Sequence, residues 1–183
     1  MGNDRLTMEQ FLASVERRAF RMARMATGDT DDALDIVQDA MLGLIAKYRN
    51  KPENLWKPLF YRILQNRIRD WYRRTRVKKR WLAWLNPKPN TNAVASHDPW
   101  EDVAAPVANH PDNLTMIGDA SRALEAALKK LSWRQQQAFL LRAWEGLSVA
   151  DTAIAMQCSD GSVKTHYARA VKTLRALLED HWP

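Results

Sequence analysis

The stretch LSVADTAIAMQCSDGSVKTHYARAVKTLRALL, from Leu147 to Leu178, decides the fold at one end of the chain. It predicts two helices separated by a short polar turn, which is the pattern of a helix-turn-helix. The second of these helices carries a group of polar and basic side chains: Ser162, Lys164, Thr165, His166 and Arg169. Such a helix fits the major groove of DNA and can contact base edges. The stretch therefore predicts a DNA-binding unit, without saying what kind of protein contains it.

The composition of the whole chain favours an all-α fold. Of the 183 residues 46 % are hydrophobic, which is enough for a packed core, and only six are glycine and eight proline. Apolar residues recur with a helical period over most of the chain, except in a stretch rich in proline between residues 85 and 118. We therefore expect two small helical domains, residues 1–84 and 119–183, joined by an extended linker over residues 85–118.

Charge is distributed unevenly along the chain, whose formal net charge is +7. Residues 51–84 contain 11 lysines and arginines against 2 acidic residues, whereas residues 29–50 contain 2 against 5. The linker and its edge, residues 85–119, contain 1 against 5. Such segregation is typical of a surface that binds a polyanion beside surfaces with other roles.

Several classes of protein are disfavoured by what the sequence lacks. The single cysteine, Cys158, excludes an intramolecular disulfide and a cysteine-based zinc site. No apolar run approaches the length needed to span a membrane, and the first residues do not resemble a secretory signal. We therefore expect a soluble, intracellular protein with no membrane span. We assign it no metal ion, no cofactor and no catalytic residue, and we expect a cytoplasmic location.

A basic helix is predicted from about Trp56 to Arg80. One face is apolar, with Phe60, Ile63, Leu64, Ile68 and Trp71. The other face carries a stripe of mostly arginine side chains: Arg62, Asn66, Arg69, Arg73, Arg76 and Arg80. A stripe of this kind can follow a phosphate backbone. Tyr61 and Tyr72 lie outside the apolar phase, so we expect them to be exposed, where they could stack on unpaired bases.

An acidic helix is predicted over residues 31–48, with a regular apolar face opposite a row of carboxylates. These carboxylates belong to Asp31, Asp32, Asp35 and Asp39. Acidic side chains in the first turn of a helix are favoured by the helix dipole, which accounts for Asp31 and Asp32. That effect does not extend to Asp35 or Asp39, so their presence suggests a further role.

Four motifs occur in order along the chain. They are Asp32-Ala33-x-Asp35-Ile36-Val37-Gln38-Asp39, then Asn66-x-x-x-Asp70-x-x-Arg73-Arg74, then Leu131 followed after six residues by Ala138-Phe139, and finally Gly161-Ser162-Val163-Lys164-Thr165-His166-x-x-Arg169-Ala170. In this order and at these separations the chain resembles the extracytoplasmic-function group of bacterial RNA polymerase sigma factors. The resemblance covers residues 8–80 and 119–180, which correspond to the second and fourth conserved regions of that family.

The resemblance implies roles for the first domain. The acidic helix would dock on the β′ coiled coil of core RNA polymerase through Asp32, Asp35, Gln38 and Asp39. The loop over residues 51–57 and the following helix would hold the opened −10 element. The helix residues assigned to this element are Asn66, Arg69, Arg73, Arg74, Arg62 and Tyr61. Asp70, one turn from both Asn66 and Arg74, would order these side chains instead of touching the nucleic acid.

For the second domain the resemblance implies recognition of the −35 element as duplex. The residues assigned to it are Ser162, Lys164, Thr165, His166, Arg169 and Lys172. A helix near Ser132–Trp144 would meet the β flap of the polymerase. Two residues depart from the family pattern: Gln157 stands where the turn usually has glycine, and His166 replaces a frequent arginine. An anti-sigma factor is the remaining implied partner, and it could hold the protein at the inner membrane.

Two alternatives remain open at the level of sequence. A conventional helix-turn-helix repressor or activator would need a ligand pocket or a dimer interface within residues 8–80. A metal-dependent nuclease could use the carboxylates of Asp31, Asp32, Asp35 and Asp39 to hold Mg²⁺, because they recur on one helix. No second cluster of acidic or histidine residues stands out as their partner.

Overall fold

The computed structural model describes residues 7–85 and 119–179. At residues 76, 78–85 and 119–122 it describes the backbone alone. Within these ranges the chain is helical: α1 (Met8–Thr27), α2 (Thr30–Tyr48), a short 3₁₀ turn (Glu53–Leu55), α3 (Trp56–Leu85), α4 (Asp119–Lys129), α5 (Trp133–Phe139), a π-helical segment (Leu140–Trp144), α6 (Val149–Met156) and α7 (Asp160–Leu177). The all-α fold expected from the sequence is confirmed. The extended linker lies outside the described residues.

Local sequence sets the ends of the first two helices. At the start of α1 the Thr7 hydroxyl accepts from the Gln10 amide at 3.2 Å, and the Gln10 side chain accepts from the Thr7 amide at 2.8 Å. Gly28 ends the helix in the left-handed conformation at φ 73°, which glycine adopts without steric cost. The Asp29 carboxylate then caps α2 through the amides of the next turn.

Helices α1, α2 and α3 pack together as the first half of the molecule. The apolar face predicted for α2 is buried, including Ala33 and Leu44, and so is the apolar face of α1, including Val15 and Ala19. Burying a side chain such as Leu44 is worth about 1.5–3 kcal/mol, so this apolar face fixes how α2 lies on its neighbours. Helix α3 begins at Trp56 as predicted but continues to Leu85, five residues beyond the predicted end.

Helices α4 to α7 form the second half. The seven-residue α5 passes directly into the π-helical segment, and α7 packs on both α5 and α6. Leu128, Leu131, Leu141, Val163 and Leu174 are fully or almost fully buried in this half. Inward-facing positions on α7 therefore follow the helical phase read from the sequence, and its opposite face points outward.

The two halves are in direct contact. Helix α3 of the first half packs along α6 of the second, and Trp133 at the start of α5 is buried against Tyr72 with ring centroids 5.4 Å apart. The core is therefore continuous across the two halves. The sequence left open whether the two domains lie apart or together, and in this structure they lie together.

Candidate nucleic-acid interface

Helices α6 and α7 form the helix-turn-helix that the sequence predicts. Ser148 caps α6 by accepting from the amide of Asp151 at 3.0 Å, and Ser159 caps α7 by accepting from the amide of Ser162 at 3.2 Å. Between them Gln157 has φ 54° and ψ 49°, the left-handed conformation that usually requires glycine. Gln157 therefore replaces the usual glycine without changing the shape of the turn.

The outward face of α7 presents most of the polar side chains predicted there. Lys164, Thr165, Arg169 and Lys172 are exposed, whereas Ser162 and His166 are half-buried. The Ser162 hydroxyl lies 2.9 Å from that of Ser159, and the Thr165 hydroxyl donates to the carbonyl of Gly161 at 3.0 Å. This face joins three cationic side chains to a hydroxyl, which suits contact with phosphates and base edges.

A ring contact behind α7 holds this face in place. Tyr167 stacks on Phe139 with ring centroids 6.3 Å apart and an interplanar angle of 16°. The guanidinium of Arg142 lies over the same tyrosine ring at 5.9 Å, and Arg142 also donates to the carbonyl of Leu147. Sequence reasoning gave Arg142 no part, because its position between α5 and α7 depends on the π-helical segment that carries it.

The arginine stripe on α3 is divided into two parts with different surroundings. Arg73 and Arg74 are exposed, whereas Arg62, Asn66 and Arg69 are half-buried. Arg74 donates from Nε to the backbone carbonyl of Asp70 at 3.4 Å. This bond uses the backbone of Asp70, so the ordering of Arg74 by the Asp70 side chain stays a prediction. The side chains of Arg76 and Arg80 lie outside the described residues.

The expectation that Tyr61 is an exposed aromatic residue is wrong. Its side chain is fully buried and its ring packs edge-on against Phe60 at 5.3 Å. Burial, and then the negative charge of Glu145, raises the pKa of Tyr61 far above its ordinary value of 10. Tyr61 lies off the apolar face of α3. It is covered instead by Glu145, which belongs to the second half and is distant in sequence.

Tyr72 is half-buried where exposure was expected. Its hydroxyl donates to the carbonyl of Ala26 at 2.8 Å, at the end of α1. Burial raises the pKa of Tyr72 above 10 as well. With Trp133 against its ring, this tyrosine ties together α1, α3 and α5, and its face is not available to stack on a base.

The acidic side of α2 borders a groove of about 710 Å³ that it shares with α3. Asp35, Gln38 and Asp39 are exposed there and Asp32 is half-buried. Asp39 pairs with Arg67 of α3 at 3.7 Å. One exposed apolar side chain lies among these acids, since Leu42 lines the groove and is 64 % exposed. A groove that combines carboxylates with an exposed leucine suits a basic amphipathic protein segment.

A second groove, of about 800 Å³, lies between α1, the loop before α3 and residues Glu145 to Asp151. Glu53 and Asn54 of the loop and Lys57 of α3 contribute to its lining, and the Lys57 amine donates to the carbonyl of Glu145 at 2.7 Å. The indole of Trp56 donates to the carbonyl of Lys51 at 2.9 Å and so closes the loop on itself. The loop is thereby fixed beside a space large enough for a base.

Two further findings concern the described ranges. In residues 7–85 and 119–179 no three histidine, cysteine, aspartate or glutamate side chains stand close enough together to hold a metal ion, including those of α2. No helix of the same ranges is both long and apolar enough to cross a membrane.

Comparison with known protein families matches both halves. The model of sigma-70 region 2 matches residues 8–77, and that of sigma-70 region 4 matches residues 121–174. The first match covers α1, α2 and most of α3, and the second covers the helix-turn-helix. The resemblance drawn from the four motifs is therefore confirmed.

Similar proteins are known as sequences and as structures. The chain is 30 % identical over 182 residues to the ECF RNA polymerase sigma factor SigM of Mycobacterium tuberculosis, covering 97 % of this chain and 80 % of that protein. It is 26 % identical to the RNA polymerase sigma-E factor of Streptomyces coelicolor, covering 93 % of this chain and 85 % of that protein. Among solved structures, the sigma factor RpoE of Bartonella quintana in complex with the anti-sigma factor NepR gives a TM-score of 0.60 at 25 % identity, covering 95 % and 98 % of the two chains.

The chain belongs to the extracytoplasmic-function group of RNA polymerase sigma factors, non-catalytic initiation factors that direct transcription to promoters.

Proposed function

We propose that this sigma factor divides promoter recognition and polymerase binding among different helical surfaces. The observation that carries the proposal is the different charge of three of these surfaces: a basic face on α7, an arginine stripe on α3, and an acidic groove beside α2 whose α3 wall includes Arg74. Each surface has the charge that its target requires, because nucleic acid is a polyanion and the proposed polymerase segment is basic.

The outward face of α7 contacts the −35 element in duplex form. Arg169 is the candidate for bidentate contact with a guanine, and Thr165 lies one turn before it on the same exposed face. Lys164 and Lys172 lie at positions suited to phosphate contacts. Ser162 and His166 are half-buried and reach the major groove of the DNA from its edge. His166 stands where many relatives have a permanently charged arginine.

The stripe on α3 and the loop before it hold the opened −10 element. Arg73 and Arg74 are exposed and follow one strand by charge. Asn66, Arg69 and Arg62 extend this contact along the helix toward the loop over residues 51–57. The groove beside that loop supports a role in accepting a base that has left the stack. Tyr61 is buried under this surface, where it supports the surface by packing.

The acidic groove beside α2 docks on the β′ coiled coil of core RNA polymerase. Asp32, Asp35, Gln38 and Asp39 supply the polar contacts, and the exposed Leu42 supplies apolar area. The pair between Asp39 and Arg67 would be exchanged for a pair with the polymerase. The segment around α5 meets the β flap, as the family resemblance implies.

An anti-sigma factor is the proposed regulator, acting on a protein that works in the cytoplasm. The similar RpoE of Bartonella quintana is known in complex with the anti-sigma factor NepR, which supports this partner class. Sequestration by a membrane-bound anti-sigma factor would hold the protein at the inner membrane.

Reconstituted transcription tests the function directly. Purified protein is added to core RNA polymerase and run-off products are read across fragmented genomic DNA, with core alone as control. We expect initiation at a small set of promoters that share −35 and −10 sequences. Failure both to bind core and to initiate at any promoter would remove this assignment in favour of a free-standing helix-turn-helix regulator.

A further inference from the structure

Helix α6, the first helix of the helix-turn-helix, is held at both ends by arginines of the segment before it. Arg134 of α5 donates from Nη1 to the backbone carbonyl of Met156 at 2.8 Å, at the last residue of α6. Arg142 of the π-helical segment donates to the carbonyl of Leu147, just before α6 begins. The eight-residue helix is therefore fixed to the preceding segment by its two ends.

The contact at Met156 supports a turn that lacks glycine. The last carbonyls of a helix have no partner within that helix, and a cation beside them is also favoured by the helix dipole. Met156 is followed directly by Gln157, whose φ of 54° is costly for a residue with a side chain. The guanidinium of Arg134 thus satisfies a carbonyl at the point where the chain turns toward α7.

The contact made by Arg142 extends to α7. Its guanidinium lies 5.9 Å from the centre of the Tyr167 ring, and Tyr167 also stacks on Phe139. Tyr167 lies on α7 between Thr165 and Arg169, the residues proposed to face the bases. The Arg142 side chain thereby joins the start of α6 to the middle of α7.

Neither arginine belongs to the exposed face of α7. Both are half-buried, and their guanidinium groups bind backbone carbonyls within the second half. The segment that carries Arg142 is a π-helical turn, in which the amide of Glu145 donates to the carbonyl of Leu140 at 3.0 Å. Turns of this kind are rare and occur frequently at functional sites. The placement of the two arginines is therefore that of a support behind the DNA-facing helix.

We propose that Arg134 and Arg142 are positioning residues for recognition of the −35 element. They fix α6 at its two ends and so set the angle at which α7 presents Thr165 and Arg169 to the major groove. The inference rests on the proposed role of α7 in contacting this element. Base contacts specify sequence through donors and acceptors at fixed positions, whereas phosphate contacts are independent of sequence. Loss of either arginine therefore reduces sequence preference more than general affinity for DNA.

Binding of the full chain to two duplexes tests the role of Arg134. One duplex has the −35 sequence shared by the promoters found in run-off transcription, the other has that sequence scrambled, and affinities are measured by anisotropy. Arg134→Met removes the donor and keeps a long side chain. We expect the ratio of the two affinities to fall about fivefold or more, as for one weakened base contact. Arg17→Met, the same substitution at an exposed position of α1, is the control and should leave the ratio unchanged.

The affinity ratio separates positioning from general support of the fold. A variant that only loses folded protein binds both duplexes less well by the same factor, so its ratio stays constant. Arg134→Lys keeps a donor and a positive charge and should retain most of the wild-type ratio. Gln157→Gly lets the turn form without strain, so Arg134→Met in that background should lower the ratio by less than about twofold. An equal loss in the two backgrounds would overturn the role of Arg134 at the turn.

Salt dependence separates positioning by Arg142 from direct contact with DNA. Each phosphate contact contributes about 0.9 to the slope of log affinity against log salt concentration. Lys172→Met, at a proposed phosphate contact, should therefore reduce this slope by about one and leave the affinity ratio nearly unchanged. Arg142→Met should do the reverse, lowering the ratio and keeping the slope.

An affinity ratio that stays constant in Arg134→Met or in Arg142→Met overturns the proposal, as does a loss of slope in Arg142→Met equal to that in Lys172→Met. Run-off transcription by the wild-type chain separates these outcomes from failure of the proposed function. If promoters with a shared −35 sequence are found but the ratio does not move, only the positioning role is wrong. If no −35 sequence is shared, the role of α7 is lost and the inference is lost with it.

Discussion

For the single residue Gln157, the backbone conformation costs free energy that contacts elsewhere in the fold offset. Left-handed backbone costs a residue with a Cβ about 1 kcal/mol or more, and glycine avoids that cost. Here the side chain reaches Arg62 across the contact between the two halves, a contact that glycine could not make. The departure from the family pattern is therefore matched by an interaction that a glycine would lose.

Tyr61 and Tyr72 show how burial overrides helical phase. Both lie off the apolar face that repeats along α3, and both are covered by residues from other helices. Glu145 reaches Tyr61 from the second half, and Trp133 covers Tyr72. No pattern local to α3 contains this information, because Glu145 and Trp133 are more than sixty positions away in the chain from the tyrosines that they cover.

The buried Tyr61 and the half-buried Tyr72 predict a loss of stability at alkaline pH. Both pKa values are raised in the folded state. The stabilisation that results is therefore complete below pH 10 and is lost as the pH rises above it, where only the unfolded chain ionises. Above pH 10, the free energy of unfolding should fall by about 1.4 kcal/mol per pH unit for each tyrosine that stays protonated in the folded state. Urea titrations at pH 9, 10 and 11 measure the slope.

Tyr72→Phe is the matching variant for that measurement, since it keeps the ring against Trp133 and removes the ionisable hydroxyl. We expect its stability to be lower by about 1 kcal/mol at pH 8, from the lost bond to Ala26, and its alkaline slope to be shallower. A slope identical to that of the wild-type protein would show that Tyr72 ionises freely in the folded state.

At the scale of single helices, α2 and α3 place opposite charges on neighbouring surfaces. The carboxylates of α2 line a groove whose other wall is α3, and one pair, Asp39 with Arg67, already joins the two. An exposed pair of this kind is worth at most about 1 kcal/mol. It can therefore open when a partner binds, and the acids beyond it are free for that partner.

Charge reversal on α2 tests its role in core binding. Asp35→Arg should weaken association with core polymerase at least tenfold, because a cation replaces an anion at a docking surface. Asp31→Arg is the control, since Asp31 is exposed on the same helix but does not line the groove. The measurement is core affinity by anisotropy of labelled protein. Equal effects of the two substitutions would assign the loss to general charge.

Substitution on α3 should produce the complementary defect. Arg73→Ala with Arg74→Ala removes two exposed cations and should reduce open-complex formation severalfold, while core affinity changes less than twofold. Permanganate footprinting of the promoter measures opening, and the core-binding assay above supplies the comparison. Equal loss of both properties would contradict the separation of roles between α2 and α3.

At the scale of the whole molecule, the contact between halves predicts energetic coupling across a sequence separation of 72 residues. Gln65→Ala and Gln137→Ala each break the same hydrogen bond, so a double-mutant cycle should give about 0.5–1.5 kcal/mol of coupling in the free energy of unfolding. Urea denaturation of the four proteins supplies the values. Two halves that unfold independently would give a coupling energy of zero.

The helices, their apolar faces, the helix-turn-helix and the family were predictable from the amino-acid pattern. These depend on local causes: the capping residues Thr7, Asp29 and Ser159, the helical period of apolar positions, and the spacing of four motifs. The left-handed turn at Gln157 was not predictable from the sequence, because a residue with a side chain there left a modified turn open. Assignments of single residues to the two promoter elements and to the polymerase remain predictions.

Which side chains of α3 face solvent depends on how the whole chain packs, which its local pattern does not show. The chain folds its second half back onto the first, so Tyr61 becomes buried, Arg62 meets Gln157, and Asn66 and Arg69 face a narrow crevice, whereas Arg73 and Arg74 remain outside. Helical periodicity reports one buried face per helix. It carries no information about a second partner that covers the opposite face, and that partner here comes from the far end of the chain.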